Sequence, residues 1–283
     1  MSSMGSANVI LFADYGSGDP RTAEWTGRVK QTGPLLDVYP AHIWLPRHEV
    51  NRAGSCLYTT LPFWPAGTVF VSTVRRRSDP PDIPWIAVRM ENGCIALMPD
   101  NGTITIAAQN LPVSEIRRLQ GVVTDLDAAG IAGLLAAGQR SFGQLGAAAE
   151  LSAVKQFPWP PVQIQEGMAA GAVALVMQNF GNLITNIPIA AFAQTGLKNG
   201  DTVRLTVTRG TECLYSEPSL LHNSFGFAGD GEPVVFNGSN GFMDFGLNRR
   251  NFVKAYLPAL QDPEEDPSAY SVRIEKECEV ATQ

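Results

Sequence analysis

The first 150 residues alternate short apolar runs with longer stretches whose apolar residues recur at helical spacing. Such runs predict buried strands and the stretches between them predict helices, so the order of elements indicates an α/β domain. Asp19 followed by Pro20 is typical of a helix N-cap and first turn. The predicted strands are residues 8–12, 35–38, 68–74, 85–89 and 95–98, and the predicted helices are 20 to about 31, 53–60, 125–137 and 146–154.

The pattern changes at the segment Gln-Phe-Pro-Trp-Pro-Pro over residues 156–161, which cannot continue a helix or a central strand. Beyond it, short apolar runs at 172–177, 202–208, 233–236 and 242–246 are separated by Gly, Asn and Asp turns. This pattern predicts antiparallel strands in a small barrel or sandwich. The sequence therefore predicts an α/β domain over 1–156, a proline-rich linker over 157–170 and an antiparallel β-barrel domain over 171–283.

Composition adds a prediction about partners. The chain has 283 residues, of which 45% are apolar and 17% charged, against about 25% charged in a typical globular domain. The low charged fraction predicts that partners cover much of the surface. The net charge is −6, which disfavours nucleic acid as a partner.

Several functional classes are disfavoured by what the sequence does not contain. Residues 1–8 do not resemble a signal peptide, and no apolar run approaches the roughly 18 residues of a membrane span. We therefore expect a cytoplasmic protein that does not bind membranes. The four cysteines form no Cys-x-x-Cys pair and the three histidines show no ligand spacing, so no metal is expected.

Several segments, in this order, resemble one family. They are Phe-Ala-Asp-Tyr-Gly at 12–16 with Asp19, Gly-Thr-Val-Phe-Val at 67–71, Pro-Asp-Asn-Gly at 99–102, Phe-Gly-Asn-Leu-Ile-Thr-Asn-Ile at 180–187, Gly-Glu-Pro at 231–233 and Gly-Ser-Asn-Gly-Phe at 238–242. Together they resemble the S-adenosylmethionine (SAM) hydroxide adenosyltransferase superfamily, which includes the SAM-dependent fluorinase and chlorinase. The resemblance implies an α/β domain followed by a β-barrel. It also implies a homotrimer whose active sites lie between the N-terminal domain of one subunit and the C-terminal domain of the next.

The same resemblance implies roles for individual residues. Asp14 matches the residue that hydrogen-bonds to both ribose hydroxyls, and Asn182 matches the residue that hydrogen-bonds to the edge of the adenine ring. His48 matches a residue that lines the substrate pocket. Ser78 matches a hydroxyl that contacts halide in the halogenases. The methionine end and the adenine would be held by Ser239, Asn240 and Arg249, with Phe180 and Phe236 as apolar walls.

Each of these residues also has a structural interpretation. Asp14 can close a turn, Asp19 can cap a helix, and His48 and Ser78 can be ordinary loop residues. Arg75, Arg76 and Arg77 form a run too short for a nucleic-acid patch, and we expect them to pair with nearby acids such as Asp79 and Asp82.

Three positions depart from the family pattern. The residues that activate water in the family's hydrolases include an Asp and a His, and these positions hold Arg75 and Gly143. The Asp that would hold the substrate ammonium is replaced by Gln178. Hydrolysis as the family performs it therefore lacks its base.

These losses favour a cofactor-independent cyclase as the first hypothesis. A branch of the superfamily catalyses intramolecular [4+2] and [6+4] cycloadditions of macrocyclic polyketides of the streptoseomycin and nargenicin type, which needs a shaped apolar cavity and a few hydrogen-bond donors. Tyr58, Trp64 and Asn182 would be the donors, and Arg75 is counted among the substrate-binding residues. The candidate walls are Trp44, Tyr58, Trp64, Phe142, Phe180 and Phe236, although core packing is the ordinary role of the N-terminal aromatics.

Two alternatives remain. A SAM-cleaving adenosyltransferase, halogenase-like or hydrolase-like, would give a 5′-substituted adenosine and methionine. A binding module would sense SAM or adenosine without turnover. Asp14 and Asn182 favour both alternatives.

Overall fold

The computed structural model describes residues 8–16, 18–41, 45, 47–121, 123–157, 159–262 and 265–277. The chain divides into two compact units, Met1–Phe157 and Pro158–Gln283. The first is an α/β unit and the second contains a closed β-barrel, as the sequence predicts.

The N-terminal unit is built on one mixed seven-stranded sheet. Its strands are β1 (Asn8–Phe12), β2 (Asp37–Pro40), β3 (Val69–Ser72), β4 (Trp85–Met90), β5 (Ile95–Pro99), β6 (Val113–Leu119) and β7 (Gly146–Ala148). Its helices are α1 (Pro20–Thr32), α2 (Val50–Thr60), α3 (Thr105–Asn110) and α4 (Asp125–Ala136). The strand order is β2-β1-β3-β5-β4-β6-β7, in which β2, β1, β3 and β5 are parallel and the remaining pairs antiparallel.

Side chains of the parallel strands alternate between two apolar layers, because successive strand residues face opposite sides of a sheet. In β1, Val9 and Leu11 join the layer that also contains Trp25 of α1 and Leu135 of α4. Ile10 and Phe12 of the same strand join the opposite layer, with α2 and α3. Both faces of the sheet are thus covered, which explains why these strands are continuous apolar runs.

Helix α4 begins at a reciprocal cap. The Asp127 backbone N–H donates to Thr124 Oγ1 at 3.2 Å, and the Thr124 backbone N–H donates to Asp127 Oδ2 at 3.0 Å. Such a capping box satisfies two N–H groups that the helix leaves without a carbonyl partner. The first residues of α4 are therefore held firmly.

We expect Thr124→Ala to destabilise the N-terminal unit by about 1 kcal/mol, because the cap loses its side-chain acceptor. The free energy of unfolding in urea measures this loss. Thr124→Ser keeps the hydroxyl and serves as the control. Equal stability of the alanine and serine variants would show that the cap contributes nothing.

The predicted helix at 146–154 is wrong. This segment contains β7 and a 3₁₀ turn at Leu151–Ala153. Gly146 pairs with Leu119, and a Cβ at Gly146 would lie 1.9 Å from the Arg118 carbonyl oxygen. Close approach of two strands, which only glycine permits, replaces the helix that the alanines favour.

The C-terminal unit contains a closed seven-stranded barrel with one added strand. Its strands are β8 (Gln163–Gln165), β9 (Met168–Met177), β10 (Asn182–Pro188), β11 (Thr202–Arg209), β12 (Glu212–His222), β13 (Pro233–Asn237), β14 (Phe242–Leu247) and β15 (Tyr270–Lys276), with short helices α5 (Ile189–Phe192) and α6 (Phe252–Tyr256). The barrel order is β10-β14-β13-β12-β11-β15-β9, and β9 closes it by pairing with β10. Strand β8 and the start of β9 lie within 157–170, the range expected to be a linker.

The barrel differs from the purely antiparallel one expected, because β12 and β13 are parallel. Alternating residues such as Val203, Leu205 and Val207 fill its interior, and Phe252 of α6 packs against Phe245 with ring centroids 5.3 Å apart. A single apolar core therefore supports the loops that follow β9, β13 and β14.

Candidate active site

The N-terminal unit contains a pocket of about 640 Å³, here called the N-terminal pocket. It lies where β1 and β3 end and α1 and α4 begin, and ligands of open parallel sheets bind beside these carboxyl ends of strands. Its lining residues are Asp14, Tyr15, Arg21, Glu24, Trp25, His48, Thr73, Arg75, Pro81, Val123, Thr124, Asp125 and Leu126. Three residues singled out in the sequence, Asp14, His48 and Arg75, thus lie together.

Two hydrogen bonds connect these three residues. The His48 backbone N–H donates to Asp14 Oδ2 at 2.8 Å, and His48 Nδ1 lies 2.9 Å from the Arg75 carbonyl oxygen. The backbone of His48 has φ 70°, in the left-handed region that non-glycine residues rarely occupy. Loops that are distant in sequence therefore fix one another at the pocket.

Opposite charges are paired around the N-terminal pocket. Arg75 Nη2 lies 3.4 Å from Asp125 Oδ1, and Arg21 forms an ion pair with Asp19 at 2.6 Å. Burial raises the pKa of Asp125, and the nearby Arg75 opposes that rise. The hydrogen bonds from Arg21 hold the pKa of Asp19 at about 2. Arg75 thus pairs with Asp125, and Asp79, one of the acids expected for the arginine run, accepts the Arg76 backbone N–H at 2.8 Å.

The C-terminal unit contains a second pocket, of about 740 Å³, here called the C-terminal pocket. It brings together six residues that the sequence singles out: Phe180, Asn182, Phe236, Ser239, Asn240 and Arg249. They come from the β9–β10 turn, the start of β10, the end of β13, the β13–β14 turn and the loop after β14. The Asn240 side chain is used within its turn, where Oδ1 accepts the Phe242 backbone N–H at 3.1 Å.

A carboxyl group that sequence reasoning missed lines this second pocket. Asp244 of β14 is 6% exposed, and its Oδ1 has no hydrogen-bond partner among the described residues. Asn182 Oδ1 is likewise buried and without a partner there. Burial raises the pKa of Asp244 to about 8. The only sequence signal was a carboxylate inside the apolar strand Phe-Met-Asp-Phe.

Glycines create the space around Asp244 and Asn182. A Cβ at Gly238 would lie 2.4 Å from Asp244 Oδ1, and one at Gly246 would lie 2.8 Å from the Asn182 Cβ. Side chains at these positions would displace the two polar groups. The C-terminal pocket is thus lined by two residues, Asp244 and Asn182, whose buried Oδ1 atoms have no hydrogen-bond partner among the described residues.

Other residues singled out in the sequence lie elsewhere. Phe142 is 2% exposed and belongs to the apolar layer with α1 and α4, so it is a core residue and not a cavity wall. Tyr58 and Trp64 pack against the opposite layer and line neither pocket, and burial raises the pKa of Tyr58. Ser78 is exposed in a turn. Trp44 falls outside the described residues.

Two of the positions that depart from the family pattern, Gln178 and Gly143, line neither pocket. Gln178 Nε2 donates to the Leu260 carbonyl oxygen at 3.0 Å, and the residue does not line the C-terminal pocket. Gly143 lies in a 3₁₀ turn. A Cβ added at Gly143 would lie 3.9 Å from a guanidinium nitrogen of Arg117.

Metal and membrane features are missing from the part of the chain that the structure describes. Within it, no group of three or more His, Cys, Asp or Glu side chains is placed to hold a metal ion. Nor does any helix within those ranges have the length and apolarity needed to cross a membrane.

Comparison with known proteins identifies the family. Residues 9–129 match the SAM hydroxide adenosyltransferase N-terminal domain, and residues 171–263 match the C-terminal domain of the same family. Together the two matches span most of the chain. The chain therefore belongs to the SAM hydroxide adenosyltransferase family.

Solved structures share the fold. An uncharacterized conserved protein from Thermotoga maritima is 21% identical with a TM-score of 0.78, over 95% of this chain and 100% of that one. A conserved hypothetical protein from Thermus thermophilus is 24% identical with a TM-score of 0.71, over 95% of this chain and 99% of that one. At these identities the likeness concerns the fold alone.

Proposed function

We propose that the protein is an enzyme that cleaves SAM, transferring the adenosyl group to water to give adenosine and methionine. The observation that carries the proposal is Asp14, whose carboxylate lies in a charged pocket at the end of β1 within a chain of this family. A carboxylate suits a ribose diol because its oxygens can accept both hydroxyl protons. Asp14 keeps this capacity, since the His48 backbone N–H occupies one acceptor position on Oδ2 and a carboxylate has about four.

The charge of the N-terminal pocket also favours this substrate. Asp14, Glu24 and Asp125 line it, against Arg21 and Arg75, and the charge of Arg21 is already offset by Asp19. The balance is negative, so a cationic ligand is favoured over an anionic one. The sulfonium of SAM is such a cation.

The C-terminal pocket offers complementary chemistry for the rest of SAM. In this proposal, Asn182 reads the adenine edge and Ser239 lies toward the methionine end. The carboxyl of Asp244, whose Oδ1 lacks a partner among the described residues, accepts from the methionine ammonium. Gln178 is not placed for that role, because it does not line the C-terminal pocket and its Nε2 donates to the Leu260 carbonyl oxygen. A buried acceptor without a donor is costly, and a ligand donor removes that cost.

We further propose a homotrimer in which another copy of the chain covers the C-terminal pocket. Phe180 at its rim is 70% exposed, and Phe225, also lining it, is 54% exposed. Exposed aromatic side chains beside a pocket are typical of an interaction surface. Light scattering at micromolar concentration should give three times the mass of the 30.4 kDa chain. A monomer would contradict this proposal.

The activity is tested by incubating the protein with SAM and measuring adenosine and methionine. Both products should appear in equal amounts, in the presence of EDTA and without added halide. Heat-denatured protein corrects for spontaneous breakdown of SAM. Tight binding of SAM without product would favour the binding module, and absence of both binding and turnover would overturn the proposal.

Cycloaddition of a polyene polyketide remains a second candidate, favoured by one observation. The positions of the family's activating Asp and His hold Arg75 and Gly143. Against it, both pockets are lined by charged side chains that an apolar polyene would have to desolvate, and Phe142 is a core residue. Conversion of a macrocyclic polyene without SAM, by a protein that does not bind SAM, would establish this candidate in place of the first.

A further inference from the structure

We infer that His48 is the general base of the proposed cleavage and takes the proton of the attacking water at its Nε2 atom. The inference rests on the proposed function and deepens it, because it assigns a base in place of the family's Asp and His, whose positions hold Arg75 and Gly143. The resemblance gives His48 only the role of a substrate wall. Its hydrogen bonds and backbone conformation point to a chemical role.

The tautomer of His48 is fixed by its neighbour. Its Nδ1 lies 2.9 Å from the carbonyl oxygen of Arg75. A carbonyl oxygen only accepts hydrogen bonds, so Nδ1 must carry the proton. In the neutral ring Nε2 then holds a free lone pair. No hydrogen bond to Nε2 is found within the described residues.

The position of His48 is fixed by a second bond. Its backbone N–H is bonded to Asp14, the residue proposed to hold the ribose. The ring is therefore anchored through its own backbone to the group that orients the sugar whose C5′ reacts. A base must be fixed relative to the reacting carbon, and this bond ties the two together.

The backbone of His48 is strained. It is one of two non-glycine residues with positive φ within the described ranges, the other being Arg249 of the C-terminal pocket. Glycine adopts this conformation without penalty, whereas a histidine does so at a cost in stability. A strained residue beside a pocket is the kind of position at which a functional side chain is expected, which agrees with a chemical role for the imidazole.

The other titratable groups of the N-terminal pocket are less suited to the task. Arg75 and Arg21 are cations and cannot accept a proton. Asp125 is paired with Arg75, and burial raises the pKa of Tyr15 to about 12, which keeps its hydroxyl protonated. Asp14 is committed to the His48 backbone and the sugar. Glu24 is the remaining carboxylate of the pocket and is tested below as an alternative base.

The proposed reaction forms one bond to carbon and breaks another. The water oxygen forms a bond to C5′ of the adenosyl group while the C5′–S bond breaks. The electron pair of the broken C5′–S bond remains on sulfur. Methionine leaves as a neutral thioether. The proton lost by the water passes to His48 Nε2, and the products are adenosine and methionine.

The test uses His48→Gly in the full-length protein. This change removes the imidazole, keeps the backbone N–H that bonds Asp14 and relaxes the positive φ. We expect the melting temperature to be unchanged or higher, adenosine affinity by calorimetry to stay within about threefold, and the rate of SAM cleavage to fall about a hundredfold or more. Added imidazole should restore part of the lost rate.

Two variants serve as comparisons. Arg47→Gly introduces glycine at the exposed position next to His48 and controls for the effect of a glycine in this loop. This variant should keep the wild-type rate of SAM cleavage. Glu24→Gln removes one negative charge from the N-terminal pocket, so we expect it to weaken SAM binding and raise KM, while kcat at saturating SAM stays within about threefold of wild type if His48 is the base. A rate within about threefold of wild type in His48→Gly, or a loss that imidazole does not restore, would overturn the inference while leaving the proposed function intact. Absence of SAM cleavage by the wild-type protein would instead remove the proposed function, and the inference with it.

Discussion

Alanine in place of Asp14 should weaken adenosine binding at least a hundredfold and remove measurable SAM cleavage. The carboxylate of Asp14 would accept two hydroxyl protons of the ribose, and hydrogen bonds to a charged group contribute about 1.5–3 kcal/mol each. Losing both corresponds to roughly a hundredfold or more in affinity. The substitution also releases the His48 backbone N–H from its acceptor. Calorimetry with adenosine and chromatography of the SAM reaction measure the two effects.

A matched control separates the site from general charge effects. Glu91 is an exposed carboxylate of the same unit, at the turn between β4 and β5, and Glu91→Ala should bind adenosine as the wild type does. The adenosine affinity of Asp14→Asn should lie between those of Glu91→Ala and Asp14→Ala, because an amide keeps one acceptor oxygen. Full affinity in Asp14→Ala would mean that the N-terminal pocket does not hold the ribose.

Asparagine in place of Asp244 should make the C-terminal unit less sensitive to alkaline pH. Burial raises the pKa of this carboxyl from 3.8 to about 8. The folded protein therefore binds one proton more than the unfolded chain between about pH 4 and pH 8. The resulting stabilisation is complete below pH 4, is lost progressively as pH rises to 8, and changes no further above it. One pKa unit corresponds to about 1.4 kcal/mol, so the total loss amounts to several kcal/mol.

Urea unfolding at pH 5 and pH 8.5 measures this difference. The wild type should lose several kcal/mol more than Asp244→Asn between the two pH values, whereas Glu217→Gln, an exposed change on β12 of the same barrel, should behave like the wild type. Parallel pH profiles for the wild type and Asp244→Asn would show that the carboxyl ionises freely. Methionine added at pH 8.5 should restore part of the free energy of unfolding that the wild type loses between pH 5 and pH 8.5, if the methionine ammonium pairs with Asp244.

The sequence predicted the central N-terminal strands because they are buried on both faces. β1, β3, β4 and β5 match their apolar runs closely, and α1 begins at Pro20 after its Asp19 cap. Strand β6, with the sequence Val-Ser-Glu-Ile-Arg-Arg-Leu, was missed because it is charged and only partly buried. Its position depends on pairing with β4 and β7, which no local pattern encodes.

Only the site residues that lie in the family motifs could be predicted from the sequence. The family segments drew attention to Asp14 and Asn182, and each lies in a pocket of its own unit. Asp244 was overlooked because its neighbours in β14 are core residues, and burial of a carboxylate cannot be foreseen from an apolar strand. Phe142 illustrates the opposite error, since an aromatic residue near a motif was taken for a wall although it fills the core.

The hydrogen bond between His48 Nδ1 and residue 75 has an evolutionary consequence. Its acceptor is a main-chain carbonyl, which every amino acid supplies, so the side chain at position 75 can change without disturbing the tautomer of the imidazole. A comparison of aligned side chains would show that Arg75 replaces the family's water-activating Asp. It would not show the main-chain carbonyl of residue 75, which accepts the hydrogen bond from His48 Nδ1. Relatives that have diverged at this position can thus keep an oriented base, and an engineer can vary residue 75 to tune the charge of the pocket while leaving that base in place.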